Sequence, residues 1–124
     1  MSGLDRLLLA LGALAGLLGV AASAAAAHLS GADSLKTAAQ FLLFHAPAIL
    51  ALVALSATGT THRPITRVAA FALVVGLMLF SGDLALRALQ GTPLFPMAAP
   101  TGGFALMAGW LLAAVGALVP TRRA

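Results

Sequence analysis

The chain consists of four long apolar runs separated by three short breaks of polar, glycine and proline residues. The runs extend approximately from Leu7 to Ala27, Thr37 to Thr58, Val68 to Leu89 and Thr101 to Val119. A helix needs about 20 residues to cross the hydrocarbon layer of a membrane, and each run is close to that length. The pattern predicts an all-α fold, an integral membrane four-helix bundle, with residues 1–124 in a single transmembrane domain.

Each break has a local physical cause. The first contains Asp33 and Ser34, and either side chain is a suitable N-cap for the second helix. The second, from Gly59 to Pro64, is a threonine-rich turn. The third, "QGTPLFPMAAPTGG", has prolines that cannot donate backbone hydrogen bonds, and its apolar residues favour a loop at the membrane interface or folded over the bundle.

The alanine-rich end of the first run, "GVAASAAAAHLSG", also fits a signal-peptidase site, so a cleaved signal peptide is an alternative to a first membrane helix. The apolar part of a signal peptide is about 7 to 15 residues long, whereas this run is long enough to span a membrane. Gly12 and Gly16 supply the small residues that let membrane helices pack closely. We therefore predict an uncleaved first helix.

Composition supports a membrane protein and excludes several other classes. Hydrophobic residues make up 61% of the chain and charged residues 8%, against about half and a quarter in soluble domains. The net charge of +4 comes from having few acids rather than from a dense basic patch, so no nucleic-acid partner is predicted. The absence of cysteine excludes disulfides and cysteine-ligated metals.

The positions of lysine and arginine predict the orientation in the membrane, because these residues concentrate on the cytoplasmic side. With four spans, five arginines fall on one side and two basic residues on the other. The first group is Arg6, Arg63, Arg67, Arg122 and Arg123, and the second is Lys36 and Arg87. Both termini are therefore predicted to lie in the cytoplasm.

Four stretches follow one another along the chain: "RLLLALGALAGLLGVAASAAAAH", "AAQFLLFHA", "GLMLFSGDLALRAL" and "APTGGFALMAGWLLAA". They resemble the successive blocks of the YgdD-like small inner-membrane proteins, a domain-of-unknown-function family. The resemblance covers nearly the whole chain. The sequence departs from the family pattern at Pro47, Asp83 and Arg87. It implies four transmembrane helices in a bacterial cytoplasmic membrane, without implying a reaction.

The polar residues inside the spans are the candidate functional residues, because a polar group in hydrocarbon must be paired or face a cavity. Helical rise places His45 about 12 Å, and Asp83 about 9 Å, inside the outer ends of their helices. Asp83 and Arg87 are four residues apart, the spacing of an intrahelical ion pair. We predict one intramembrane polar cluster of Gln40, His45, Ser81, Asp83 and Arg87, with His28 at the interface.

Two hypotheses explain such a cluster. It is either a self-satisfied structural element that fixes the helix register, or a path for protons or ions that uses Asp83 and His45. Haem ligation by His28 and His45 is disfavoured because their depths differ by about 12 Å. No cofactor, metal site or catalytic constellation is predicted, and the chain is predicted not to be an enzyme.

The small residues predict where the helices pack against one another. The predicted packing positions are Gly12, Gly16, Gly76, Gly82, Gly102, Gly103, Gly109 and Trp110. Such faces either close the bundle or bind another membrane protein, and the pattern does not distinguish the two. The favoured function is a non-enzymatic accessory or scaffolding subunit in contact with the lipid bilayer, as part of a larger membrane complex or a homo-oligomer. The alternatives are a small transporter, or lipid or quinone binding that uses Trp110, His45 and the apolar loop.

Overall fold

The protein is built from four long α-helices joined by short loops. The computed structural model describes residues 1–121, with α1 at Gly3–His28, α2 at Asp33–Ala57, α3 at Arg63–Gln90 and α4 at Ala98–Leu118. Within those residues there is no strand, and each helix is long and apolar enough to cross a membrane. The prediction of an all-α four-helix protein is therefore confirmed.

Each helix packs mainly against the next one in the sequence: α1 on α2, α2 on α3 and α3 on α4. Short loops make these neighbours antiparallel, so α1 and α3 begin at the same end of the bundle. We call this the proximal end, and the opposite end, where α2 and α4 begin, the distal end. The core is aliphatic, and Leu8, Ile49, Leu73, Leu77 and Leu106 bring side chains to it from all four helices.

All four helices begin before their apolar runs, and polar side chains cap two of these starts. At α1, Ser2 and Asp5 form a reciprocal capping box in which each side chain accepts the other's backbone N–H, at 3.1 and 2.9 Å. At α3, the Nδ1 atom of His62 accepts from the backbone of Ile65, and Pro64 lies in the first turn. The starts of α2 and α4, which also precede their runs, have no side-chain cap.

The start of α2 corrects one expectation. Its N-cap is Ala32, which provides no side-chain cap, so the prediction of Asp33 or Ser34 as the N-cap is wrong. Asp33 lies instead at the first helical position, where its negative charge complements the partial positive charge of the helix end. At the start of α2, the attraction between the Asp33 carboxylate and the helix dipole therefore takes the place of a side-chain capping hydrogen bond.

Glycines bring α1 close to α2. A Cβ atom built on Gly12 would lie 2.8 Å from Cγ2 of Ile49, and one on Gly16 would lie 3.5 Å from Cβ of Ala46. The predicted packing role of these two glycines corresponds to direct contact with α2. Gly12 and Gly16 therefore belong to a contact between two helices inside the bundle.

The contact between α3 and α4 is closer still. A Cβ atom on Gly76 would lie 2.8 Å from the carbonyl oxygen of Gly102, and one on Gly109 would lie 2.7 Å from Leu73. Gly82 differs, because its neighbour is Leu94 of the α3–α4 loop. The predicted packing role of Gly103 is not met, since the nearest atom to its Cβ position is 3.9 Å away on Phe80.

Candidate functional site

Asp83 anchors the loop between α3 and α4 at the distal end. Its carboxylate is fully buried, and Oδ2 accepts a hydrogen bond from Nε of Arg87 at 2.8 Å. The other oxygen, Oδ1, accepts from the backbone N–H of Leu94 at 2.9 Å. Asp83 therefore closes the expected i,i+4 ion pair and also ties the proline-rich loop to α3, while about half of the Arg87 side chain stays exposed.

His45 of α2 makes a separate pair with Trp110 of α4. The indole Nε1–H donates to Nε2 of His45 at 3.1 Å, and Nδ1 of His45 lies 2.7 Å from the carbonyl oxygen of Phe41. Because an indole N–H can only donate and a carbonyl can only accept, this geometry assigns His45 as the neutral tautomer protonated at Nδ1. Both ring nitrogens are therefore engaged within the bundle.

The structure corrects the expectation of one polar cluster, because the five residues take different partners. Ser81 donates to the carbonyl oxygen of Ala38 at 3.1 Å, joining α3 to α2. Asp83 and Arg87 bind each other, and His45 binds Trp110. Gln40 is exposed on the outer face of α2, so its predicted place in the cluster is wrong.

His28 is exposed in the last turn of α1, at the distal end of the bundle. Its predicted location at the membrane interface stays a prediction. Among residues 1–121, no three histidine, cysteine, aspartate or glutamate side chains lie close enough together to hold a metal ion.

Sequence reasoning missed a second buried ion pair, at the proximal end. The carboxylate of Asp5 is fully buried and accepts two hydrogen bonds from Arg67 of α3, from Nε to Oδ1 and from Nη2 to Oδ2, both at 2.9 Å. The same guanidinium donates to Oγ of Ser2 at 3.1 Å. The Ser-x-x-Asp pattern at residues 2–5 was the available signal, because it marks a capping box and places the carboxylate at a helix start.

A large apolar groove separates α1 from α3. The groove between the two helices has a volume of about 840 Å³, reaches from Leu11 to Ala25 along α1 and has α2 as its floor. Ala15, Leu18 and Ala22 form the α1 wall. Ser81 is a polar side chain on the lining, and its hydroxyl is already bonded to α2.

The apolar loop closes the distal end of this groove. Leu94 and Phe95 line it together with Leu86 and Leu89 of α3. The loop is held in place by the bond from Leu94 to Asp83, so the buried carboxylate positions part of the groove wall. Trp110 and His45, which the sequence associated with lipid or quinone binding, are absent from the lining, whereas the loop is part of it.

These features define, over residues 1–121, a small all-helical protein with four membrane-length apolar helices, a buried carboxylate in an ion pair at each end and a lateral apolar groove. Residues 10–103 match the family described as protein of unknown function (DUF423), and the chain belongs to that family. The match confirms the expected membership of a family of unknown function. No solved structure matches the chain.

The His45–Trp110 pair gives the first testable prediction. Trp110 is the only tryptophan, so the intrinsic tryptophan fluorescence of the protein reports on the surroundings of this one side chain. His45→Phe is expected to shift the emission to shorter wavelength, because the indole N–H loses its acceptor and faces apolar surroundings. His28→Phe, at the exposed end of α1, should leave the spectrum unchanged. Identical spectra for the wild type and His45→Phe would contradict the hydrogen bond.

Proposed function

We propose that this protein is a non-enzymatic accessory protein of the bacterial cytoplasmic membrane that holds one flexible apolar chain, the tail of a lipid or an isoprenoid, in the groove between α1 and α3. The groove is the observation that carries the proposal. Its volume of about 840 Å³ falls in the range of small-molecule sites, about 300–1,000 Å³, and its lining is almost entirely apolar. Van der Waals contact along such walls suits a hydrocarbon chain better than a polar substrate.

The shape of the groove supports a chain-like ligand. Along α1 it extends from Leu11 to Ala25, a length of about 21 Å at the rise of an α-helix. Small side chains on both walls, among them Ala22 and Ala85, leave room for a ligand between the helices. The loop residue Phe95 borders the distal end, so a ligand tail in the groove would lie below an apolar cover.

The arrangement of the buried polar groups supports a binding role over catalysis or transport. Both oxygens of Asp83 and both ring nitrogens of His45 have partners within the bundle. A proton path through Asp83 and His45 would require these groups to exchange partners, and each is bonded to a different element. The transporter hypothesis therefore has no supporting contact between its two key residues.

The orientation that we propose places the proximal end in the cytoplasm. Arg6, Arg63 and Arg67 lie at or near that end, whereas Lys36 and Arg87 lie towards the distal end. This distribution follows the positive-inside rule and predicts cytoplasmic termini. Arg122 and Arg123, which also entered the prediction, lie outside the described residues.

The groove can be tested by filling it. We expect the protein extracted gently from its native membrane to retain one lipid-sized molecule by native mass spectrometry, and Ala22→Trp to abolish that retention. Ala24→Trp is the matched control, because Ala24 is exposed on α1 and does not line the groove. The mass of the retained molecule would distinguish a phospholipid from an isoprenoid.

Two results would contradict the proposal: a wild-type protein without any adduct, or an adduct that Ala22→Trp and Ala24→Trp retain equally. A retained polypeptide that Ala22→Trp releases would instead support a subunit that binds a partner's membrane helix. That result fits the broader accessory role predicted from the sequence, with a different occupant of the same groove.

A further inference from the structure

An amide side chain lies on the apolar outer face of α2. Gln40 is seven residues beyond the first residue of this helix, about 10 Å along its axis, and its side chain is exposed. None of the side-chain hydrogen bonds that α2 makes within residues 1–121 involves Gln40. Lipid tails offer no hydrogen-bond partner for the two donors and the acceptor oxygen of this amide. A membrane-embedded Gln40 therefore needs a partner from outside the chain.

Gln40 begins a regular line of exposed residues along α2. Phe44, Pro47, Ala51 and Ala54 follow it at alternating steps of four and three, and all are exposed. We call these five residues the α2 seam. This alternation is the pattern of residues that face a partner helix in a left-handed helix pair. Three of the five positions are alanine or proline, which permit close approach of a second helix.

The neighbouring helices leave the α2 seam free. On α2, Ala46 and Ile49 face α1, Ala38 and Phe41 face α3, and His45 faces α4. These contacts leave the α2 seam uncovered, and the α2 side chains packed on α1 that come nearest to it are Leu43 and Leu50. The seam is therefore available to another molecule without any rearrangement of the bundle.

The chemistry of the α2 seam points to a second copy of the same chain. Copies inserted in the same orientation are related by a two-fold axis along the membrane normal, so identical residues meet at the same depth. A glutamine amide is self-complementary, because the N–H of one side chain can donate to the carbonyl oxygen of the other. No charged residue lies on the α2 seam, and Lys36 lies one turn nearer the distal end, where its ammonium group can reach water.

We propose that the protein forms a parallel homodimer through the α2 seam, in which the Gln40 amides of two copies hydrogen-bond to each other inside the membrane. The single polar residue sets the register of the two helices, and the small residues provide the close contact. This surface lies apart from the groove between α1 and α3, so dimerisation and occupation of the groove are independent.

The absence of cysteine makes the interface directly testable. In full-length protein reconstituted into phosphatidylethanolamine–phosphatidylglycerol vesicles, Ala51→Cys is expected to form an intermolecular disulfide on mild oxidation. Met107→Cys, at an exposed position of α4, is the matched control and should remain monomeric. Equal cross-linking at both positions would show random collision and would overturn the proposal.

The role of the amide is tested by the dissociation constant of the dimer in the same vesicles, measured by energy transfer between labelled copies. Gln40→Leu is expected to raise this constant about tenfold, the effect of an interhelical hydrogen bond in a membrane. Gln90→Leu, which changes the other glutamine of the chain at the end of α3, should leave it unchanged. A protein that is monomeric at every protein-to-lipid ratio, or a Gln40→Leu dimer as tight as the wild type, would overturn the proposal and assign Gln40 to lipid headgroups or another protein.

Discussion

Gly102→Ala is expected to destabilise the protein by about 1–3 kcal/mol, the usual cost of forcing an extra atom into a closely packed contact. A Cβ atom at this position would lie 2.5 Å from the backbone nitrogen of Phe80 and 2.7 Å from the carbonyl oxygen of Gly76. Both atoms belong to the backbone of α3, which cannot move aside as a flexible side chain can. The two helices must therefore separate along their contact.

The adjacent glycine provides the matched control. Gly103→Ala introduces the same atom one residue later in α4, where the nearest neighbour is 3.9 Å away on the ring of Phe80. Alanine is also favoured over glycine in a helix by about 1 kcal/mol, so this variant should be as stable as the wild type or more stable. The two variants therefore share their helix propensity and differ in packing.

The measurement is the unfolding midpoint of each full-length variant, titrated with sodium dodecyl sulfate in mixed micelles. Gly102→Ala should unfold at a clearly lower fraction of sodium dodecyl sulfate than the wild type, and Gly102→Leu at a lower fraction still. Equal midpoints for Gly102→Ala and Gly103→Ala would contradict the close backbone contact between α3 and α4.

The four helices could be predicted because membrane spans are defined by length and apolarity, which are read directly from the sequence. All four helices begin before the apolar runs start, and side chains cap only two of these starts, at Ser2 and His62. Ala32 begins α2 without a side-chain cap, so the polar residues after it gave the wrong N-cap. Apolar patterning therefore locates a span but not the residue at which its helix begins.

The polar residues show what the sequence could not provide. Counting residues gives the depth of a side chain in the membrane. The partners of that side chain depend also on the direction in which it points around the helix axis. Gln40 and His45 are five residues apart, which places them about 140° apart on the helix surface, and only His45 faces the bundle. Asp83 takes a loop backbone as its second partner, which depends on how residues 91–97 fold back, and no helical spacing encodes that contact.

Asp5 and Arg67 illustrate a different reason for a missed contact. Asp5 precedes the first apolar run, so it is not among the polar residues of the predicted spans, and Arg67 entered only the prediction of orientation. The structure brings them together because α1 and α3 begin at the same end of the bundle. Since α1 otherwise contacts α3 only lightly, this pair is a main link between the two helices.

Asp5→Ala is expected to be as disruptive as the glycine substitution, because it leaves the guanidinium of Arg67 without its bidentate carboxylate partner. It also removes the carboxylate that accepts the backbone N–H of Ser2, one of the two hydrogen bonds of the capping box at the start of α1. The unfolding midpoint in sodium dodecyl sulfate should fall well below that of Asp33→Ala, which removes an exposed carboxylate from the start of α2. Equal midpoints for the two alanine variants would show that the proximal pair contributes no stability.

A double-mutant cycle separates the ion pair from the capping box. If Asp5 and Arg67 act together, Arg67→Ala should also lower the midpoint, and the double variant should lose less stability than the sum of the two single losses. If the two single losses of stability add up exactly, the effect of Asp5→Ala comes from the cap alone. The backbone N–H of Ser2 loses its acceptor in every variant that lacks the carboxylate. Strong coupling would instead mean that the pair joins α1 to α3 at the proximal end, whereas the groove lies between the same helices farther towards the distal end.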